Sequence, residues 1–205
     1  MKAIAFDLGR VLFDFDYDIA LDKIRDKIQV SPQEIIYSFF YEDFTLDFER
    51  GTVSALDFYH KFKDKTGLSL GYDEFVPVWC DIFSLKEETI SLVKYLKPFY
   101  RVFLISNINE LHYNFLKERH PDVFSLFEEE ILSFAVKAVK PEPEIYNILL
   151  SKAACGRREL VYIDDRADLI ASARSQGLNC IQFQDIDQCR QELSDFGVRV
   201  PSCRT

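Results

Sequence analysis

Glycine and proline are scarce in this sequence, and long apolar runs are missing. The 205 residues include seven glycines and seven prolines, which is too few for a collagen-like or disordered chain. Purely apolar runs such as Val102 to Ile105 are far shorter than the roughly 20 residues that a membrane helix needs. Met1-Lys2 leads into a short apolar stretch without the regions of a secretory signal. We therefore expect a cytoplasmic globular protein with no membrane partner.

Cysteine pairs and a basic surface are also lacking. The five cysteines are scattered and form no C-x-x-C pair, so neither a disulfide framework nor a zinc site is indicated. There are 25 Lys and Arg residues against 34 Asp and Glu residues, a net charge of −9. Because a basic surface dominates affinity for nucleic acids, we expect no nucleic-acid partner.

Short apolar runs alternate with helix-like stretches along much of the chain. Amphipathic patterns predict helices over Asn109 to Glu118, Glu142 to Lys152 and Asp168 to Ser175. The runs that have the length and composition of buried strands are Lys2 to Phe6, Arg101 to Ile105, Ile131 to Phe134, Leu160 to Ile163 and Leu178 to Phe183. This alternation predicts an α/β fold, a Rossmann-like parallel sheet with helices on both faces.

The stretch between the first two of these strands carries helical signals only. Ser31-Pro32-Gln33-Glu34 has the pattern of a capping box with proline at the first helical position. A second helix begins after Ser54 and ends at Gly67, and a third covers Leu85 to Leu96. We therefore expect a small helical domain at residues 14–90, inserted into a core of residues 1–13 and 91–205.

Aromatic rings are concentrated in this insert (residues 14–90). We interpret them as the packed interior of a small helical bundle rather than as a ligand-binding box. They include Phe39, Phe40, Phe44, Phe48, Phe58, Phe62, Phe75, Trp79 and Phe83.

Polar and charged residues follow four of the predicted strands. Asp7 follows the first, Ser106-Asn107 the second, Lys140-Pro141 comes after the third, and Asp164-Asp165 follows the fourth. Each pair alone is ordinary turn or helix-cap chemistry. Ligands of open parallel sheets bind beyond the carboxyl ends of the strands, so the four positions together predict one site.

The charges of these residues indicate the chemistry. A carboxylate with a pKa near ~3.9 is ionised at neutral pH, so Asp7 can attack an electrophile without a base. Two like charges about 4 Å apart repel by roughly 1 kcal/mol in water and about 4 kcal/mol at a dielectric near 20. Asp7, Asp164 and Asp165 therefore require a cation, and Mg²⁺ suits carboxylates together with a substrate phosphate. Lys140 would offset the remaining charge, while Ser106 and Asn107 would hold phosphate oxygens.

The motifs span almost the whole chain, and they carry a resemblance. They are Phe6-Asp7-Leu8-Gly9, Glu49-Arg50-Gly51, Ser106-Asn107, Lys140-Pro141-Glu142 and Asp164-Asp165. On these motifs the sequence resembles the haloacid dehalogenase-like (HAD) superfamily of hydrolases. It looks closest to the bacterial α-D-glucose-1-phosphate phosphatase type and, more distantly, to the N-terminal domain of soluble epoxide hydrolases.

The resemblance implies a Mg²⁺-dependent phosphoric monoester hydrolase that acts on a small phosphorylated metabolite such as a sugar phosphate. Asp7 would form an aspartyl-phosphate. Asp7, the Gly9 carbonyl and Asp165 would ligate Mg²⁺, and Asp164 would support these ligands without contacting the ion. The residues expected to bind phosphate are Ser106, Asn107 and Lys140. The helical insert would be the cap that closes over the substrate.

The sequence also departs from the superfamily pattern. Gly9 stands where many superfamily phosphatases have a second Asp as general acid and base, a group worth about 10²- to 10⁴-fold in rate. We therefore expect slow turnover or easier leaving groups such as sugar 1-phosphates. Arg10 replaces a residue that is usually small or an amide.

Two alternatives stay open. A metal-independent haloacid dehalogenase would attack carbon with the same Asp7. Gly9 permits this hypothesis, and Asp164-Asp165 disfavours it. The other alternative is a non-catalytic HAD-like binding protein. It is motivated by Gly9 and Arg10 together with Leu169, which stands where relatives often have Asn.

Overall fold

A five-stranded parallel sheet forms the centre of the computed structural model, which describes residues 1–31, 34–35 and 43–200. Its strands, numbered along the chain, are β1 (Ala3–Phe6), β4 (Arg101–Ser106), β5 (Glu129–Leu132), β6 (Leu160–Asp164) and β7 (Asn179–Gln182). Their spatial order is β5-β4-β1-β6-β7, and every neighbouring pair is parallel. Strand β1 lies in the middle, so its carboxyl end is surrounded by the ends of its neighbours.

Helices cover both faces of the sheet. Side chains alternate along each strand, so Ile4 and Phe6 join one apolar cluster while Ala3 and Ala5 join another. Helices that contribute side chains to the first cluster include α5 (Glu87–Leu96), α6 (Glu110–Arg119), α7 (Pro121–Phe124) and α11 (Ile186–Asp195). Helices α9 (Pro143–Ala153) and α10 (Ala167–Ser175) contribute to the second.

This architecture confirms the predicted α/β fold with a parallel sheet and helices on both faces. Most strand and helix boundaries differ from the predicted ones by one or two residues, and the third strand of the core shows why. The third strand of the core ends at Leu132, and residues Ser133–Val136 form a short helix, α8. The Ser133 hydroxyl lies 3.0 Å from the Ile108 amide and 2.6 Å from the Glu49 carbonyl. These polar contacts draw the chain out of the sheet, where an apolar pattern alone predicted two more strand residues.

The insert is helical, and a small sheet joins it to the core. Strands β2 (Phe13–Phe15) and β3 (Phe83–Leu85) pair in antiparallel fashion at its two ends. Its helices include α1 (Tyr17–Ile24), α2 (Asp43–Arg50), α3 (Ala55–Thr66) and α4 (Tyr72–Cys80). Short 3₁₀ turns occur at Arg25–Lys27 in the insert and at Arg157–Glu159 in the core. The division into domains at residues 14 and 90 stays a prediction.

The predicted helix ends of the insert have their capping contacts. Ser54 accepts a hydrogen bond from the Asp57 amide, and Gly67 ends α3 with a left-handed φ of 67°. The Glu34 amide donates to Ser31 Oγ and the Ser31 amide donates to Glu34 Oε2, which is the reciprocal pattern of a capping box. Pro32 and Gln33 lie outside the described residues.

Aromatic rings fill the interior of the insert. Phe58, Phe62, Phe75 and Trp79 are all buried in one apolar cluster, and Phe48 stacks on Phe58 with ring centroids 4.4 Å apart. Phe39 and Phe40 lie outside the described residues. The rings therefore form a packed core, as the bundle interpretation predicts.

Among the described residues, the free cysteines are Cys80, Cys155, Cys180 and Cys189, and Cys203 lies outside that part of the chain. None of the helices within the described ranges has both the length and the apolar character of a membrane span.

The insert is held against the core by polar contacts next to α2. Arg50 makes two hydrogen bonds to Glu142, at 2.8 and 2.6 Å, and Lys137 Nζ donates to the Gly51 carbonyl at 2.5 Å. Gly51 has a φ of 74°. A Cβ atom at this position would lie 2.9 Å from Phe134 Cα and 2.7 Å from Lys137 Nζ, with the Phe134 carbonyl closer still. Glycine is therefore required here by both conformation and space.

We predict that Gly51→Ala destabilises the protein more than Gly197→Ala. Gly197 has the same φ of 74° but nothing within 4 Å of an added Cβ. Both variants carry left-handed strain of about 1–2 kcal/mol, and only Gly51→Ala adds overpacking of about 1–3 kcal/mol. Urea denaturation of the two variants measures the difference in the free energy of unfolding. Equal losses would mean that the insert does not pack against residues 134–137.

Candidate active site

The polar residues that follow the four predicted strands meet at the carboxyl edge of the sheet, although Lys140 lies eight residues beyond the end of its strand at Leu132. They border a cavity of about 170 Å³ whose lining includes Asp7, Gly9, Asn107, Lys140 and Asp165. Ser106 borders a smaller adjoining cavity of about 70 Å³. A larger depression of about 460 Å³ lies at the amino ends of the strands near Lys2 and Arg101. We assign the site to the smaller pair of cavities, because the reactive side chains converge there.

Lys140 is the centre of the polar network. Its ammonium lies 2.7 Å from Asp7 Oδ1 and 2.6 Å from Asp164 Oδ2, although its side chain is only 2% exposed. Burial alone would lower the pKa of Lys140, but the charges of Asp7 and Asp164 outweigh it and raise the pKa above its ordinary value. Lys140 is therefore a permanent cation between the two carboxylates.

Asp164 is fully buried and its oxygens have several donors. Oδ2 accepts from Lys140 and from the Tyr162 hydroxyl, and Oδ1 accepts from the Arg166 amide at 2.9 Å. With this many partners the carboxylate is fixed in orientation. Asp164 therefore orients Lys140, and its neighbour Asp165 is left to face the cavity.

The Asn107 side chain holds the backbone of Lys140. Its Oδ1 accepts from the Lys140 amide at 2.7 Å, and its Nδ2 donates to the Lys140 carbonyl at 3.0 Å. Residue 107 follows β4 directly, so the amide fixes the loop that carries Lys140 to the end of that strand. Ser106 is buried, and its hydroxyl has a long hydrogen bond of 3.4 Å to the Asn107 carbonyl. The phosphate-binding role of these residues stays a prediction.

Three carboxylates crowd one corner of the cavity. Asp7, Asp164 and Asp165 each offer an oxygen within 4.8 Å of the other two. Burial raises the pKa of Asp7 to about 7; the charge of Asp164 adds to this, and Lys140 opposes it. Burial also raises the pKa of Asp165, again with a contribution from Asp164. Lys140 alone does not neutralise the negative charge of this cluster. The carboxylate oxygens of the cluster are hard donors that fit a divalent cation such as Mg²⁺.

Gly9 and Arg10 form the turn beside the nucleophile position. An added Cβ at Gly9 would lie 4.0 Å from Asp7 Oδ2 and 3.1 Å from Phe15 Cε1, so position 9 faces the same space as Asp7. Arg10 has a φ of 60° and lies over the Phe15 ring at 4.3 Å. Arg10 Nη1 also lies 3.7 Å from Asp14 Oδ1. The contacts with Phe15 and Asp14 hold the Arg10 side chain at the edge of the cavity.

The insert supplies a carboxylate that sequence analysis did not single out as functional. Glu49, near the end of α2, borders both cavities. Burial raises the pKa of Glu49 to about 7, against the opposing charges of Lys140 and Arg166. The motif Glu49-Arg50-Gly51 carried a signal for this region. The motif pointed to a family resemblance, whereas the position of Glu49 in the lining of the cavity that contains Asp7 follows from how the insert packs.

His112 borders the smaller cavity and is buried. Its Nδ1 lies 3.0 Å from Asn109 Nδ2, while Asn109 Oδ1 accepts from the His112 amide. Burial lowers the pKa of His112 to about 4. The imidazole is therefore neutral at pH values near 7, and it stacks on Trp79 and contacts Phe83, which fits a packing role.

Two known phosphatases are similar to this chain in sequence. The chain is 24% identical to a D-ribitol-5-phosphate phosphatase of Bacteroides thetaiotaomicron, covering 95% of this chain and 97% of the relative. It is 26% identical to the sesquiterpene phosphatase astK of Aspergillus oryzae, covering 90% of each chain.

A solved structure is similar as well. The wild-type HAD family enzyme of Bacteroides thetaiotaomicron, in complex with magnesium and inorganic phosphate, aligns with a TM-score of 0.80 at 24% identity. The alignment covers 90% of this chain and 94% of that enzyme. At this identity the likeness establishes the fold alone.

A family model settles the wider relationship. The model, described as a haloacid dehalogenase-like hydrolase, matches residues 1–177. The resemblance seen in the motifs is thereby confirmed at the level of the family, and the closeness to glucose-1-phosphate phosphatases stays a prediction. This chain belongs to the haloacid dehalogenase-like hydrolase family.

Proposed function

We propose that this protein is a Mg²⁺-dependent phosphatase that hydrolyses a small phosphorylated alcohol or sugar through an aspartyl-phosphate on Asp7. One observation carries the proposal. The Asp7 carboxylate lies 2.7 Å from the buried Lys140 ammonium and within 4.8 Å of the Asp164-Asp165 pair. A nucleophile, a fixed cation and a second anionic group are thus available at one cavity, which is the arrangement that phosphoryl transfer needs.

Each side chain has a role in this reaction. Asp7 attacks the phosphorus, and Lys140 offsets the negative charge that the phosphate brings beside Asp7. Ser106 and Asn107 donate to phosphate oxygens, while Asn107 also keeps the Lys140 loop in position. Asp7, the Gly9 carbonyl and Asp165 would hold Mg²⁺, with Asp164 behind them. When bound, the ion neutralises the carboxylates and the phosphate dianion.

The relatives support this choice of substrate class. Two relatives that match over 90% or more of this chain are named as phosphatases, one of D-ribitol 5-phosphate and one of sesquiterpenes. The carboxylate cluster supports a metal-dependent phosphatase over a metal-independent dehalogenase, because its charge requires a cation. A binding protein without catalysis would have no need to bury Lys140 between two carboxylates, which is costly unless both partners are kept.

We predict that Asp7→Asn abolishes phosphatase activity. The amide cannot attack phosphorus, so the rate should fall by more than about 10³-fold. The assay is Mg²⁺-supported phosphate release from p-nitrophenyl phosphate and glucose 1-phosphate. Asp26→Asn, at an exposed position of the insert, is the matched control and should keep the parental rate. An Asp7→Asn variant as fast as the parent would overturn the mechanism.

A second prediction concerns magnesium and pH. Asp7 has a pKa of about 7 in the fold against an ordinary 3.8, and the pKa of Asp165 is also raised. A carboxyl whose pKa is raised by folding stabilises the fold only while it is protonated. Without Mg²⁺, stability should therefore fall as the pH rises from about 4 through about 7.

Magnesium should reverse this loss where the carboxylates are ionised. At 100-fold excess over the dissociation constant, the gain is about 2.7 kcal/mol. The shift in Tm on adding MgCl₂ should be larger at about pH 8 than at about pH 5, because protons compete with the ion. Asp165→Asn should reduce the shift at the higher pH. A larger shift at the lower pH would contradict a carboxylate-bound ion.

A further inference from the structure

Glu49 is placed to act on the group that leaves the phosphate. It belongs to α2 of the insert, yet it borders the cavity that contains Asp7 and Lys140. It also borders the adjoining cavity next to Ser106. Its side chain therefore faces the space on the far side of the phosphate site from the sheet, where the alcohol part of a substrate has room to bind.

The Glu49 carboxyl has no hydrogen-bond or ion-pair partner among the described residues, unlike its neighbours. Asp7 and Asp164 bind Lys140, and the adjacent Arg50 is taken by Glu142 of the core. Only the more distant charges of Lys140 and Arg166 act on Glu49. A half-buried acid without a partner is costly, which indicates that its partner is a group of the substrate.

The backbone around Glu49 is anchored to the core. The Ser133 hydroxyl donates to the Glu49 carbonyl at 2.6 Å. On the following residues, Arg50 binds Glu142 and the Gly51 carbonyl accepts from Lys137 at 2.5 Å. Three successive residues of the insert thus contact the segment that also leads to Lys140. The backbone that carries the Glu49 carboxyl is therefore held in a fixed position relative to the core, as the support of a catalytic group must be.

The reaction needs such a group. An alkoxide is a poor leaving group, so the oxygen of a phosphorylated alcohol must gain a proton as its bond to phosphorus breaks. Gly9 has no side chain to give one, and Asp164 is occupied by Lys140, Tyr162 and Arg166. Other titratable groups that line the two cavities include Arg10, Tyr17, the neutral His112 and Asp165, and Asp165 is assigned to the metal ion. With a pKa of about 7, the Glu49 carboxyl exists in both forms near neutral pH.

We infer that Glu49 is the general acid and base of the reaction, supplied by the insert rather than by the loop that carries the nucleophile. This inference rests on the proposed phosphatase function. In the first step the Asp7 carboxylate bonds to phosphorus, the bond between phosphorus and the alcohol oxygen breaks, and that oxygen takes the Glu49 proton. In the second step a water oxygen bonds to phosphorus and Glu49 takes the water proton. The bond from phosphorus to Asp7 then breaks, which releases inorganic phosphate.

The test compares two leaving groups in the Glu49→Gln variant with saturating Mg²⁺. p-Nitrophenolate leaves without a proton, so the pre-steady-state burst of nitrophenolate should keep its parental rate within about threefold. Turnover of an alcohol phosphate that the parent hydrolyses, beginning with ribitol 5-phosphate, should fall by about 10²-fold or more. The burst also reports that the variant is folded, because only an intact site produces it.

The control is Asp47→Asn, which also replaces a carboxyl by an amide on α2. Asp47 is half-buried and is not among the lining residues of either cavity. It should leave both rates at the parental level. If Glu49→Gln lowers both rates equally, or lowers neither, Glu49 is not the general acid. If the parent with Mg²⁺ releases no phosphate from any ester, the proposed function itself fails, so the two failures are distinguishable.

Discussion

The ion pairs of Lys140 with Asp7 and Asp164 are the interactions on which the site depends. All three side chains are buried, and removing one partner of such a network typically costs roughly 3–5 kcal/mol, because a buried charge is left unpaired. The network therefore fixes both the position of Asp7, the proposed nucleophile, and the balance of charge around it. The three carboxylates of Asp7, Asp164 and Asp165 carry more negative charge than Lys140 neutralises. This excess makes that corner of the cavity suited to a metal ion, which in turn can bind a phosphate.

The sheet and the insert supply different parts of this site. Strands β1, β4 and β6 end side by side, so Asp7, Ser106 and Asp164 are brought to one edge by the register of the sheet. The insert contributes from the opposite side through α2, and its contact with residues 133–142 fixes the distance between the two halves. In the proposed mechanism, the carboxyl edge of the sheet thus carries the phosphoryl chemistry, while the insert faces the rest of the substrate.

The sheet side of the site could be predicted from sequence because strand ends are local signals. Apolar runs followed by Asp7, Ser106 or Asp164 are visible without any tertiary information, and parallel order then brings them together. Glu49 could not be found in this way, since its position depends on side-chain contacts between α2 and the core. The same reason explains the boundary of β5, where the hydroxyl contacts of Ser133 end the strand within an apolar stretch.

The most direct test of the central claim is identification of the residue that carries phosphate during turnover. The parental enzyme is mixed with Mg²⁺ and p-nitrophenyl phosphate, quenched in acid within one turnover, digested, and mapped by mass spectrometry. A covalent phosphate on Asp7 is the predicted result. Steady turnover with phosphate on another residue, or with no covalent phosphate at any quench time, would contradict the role of Asp7 as nucleophile.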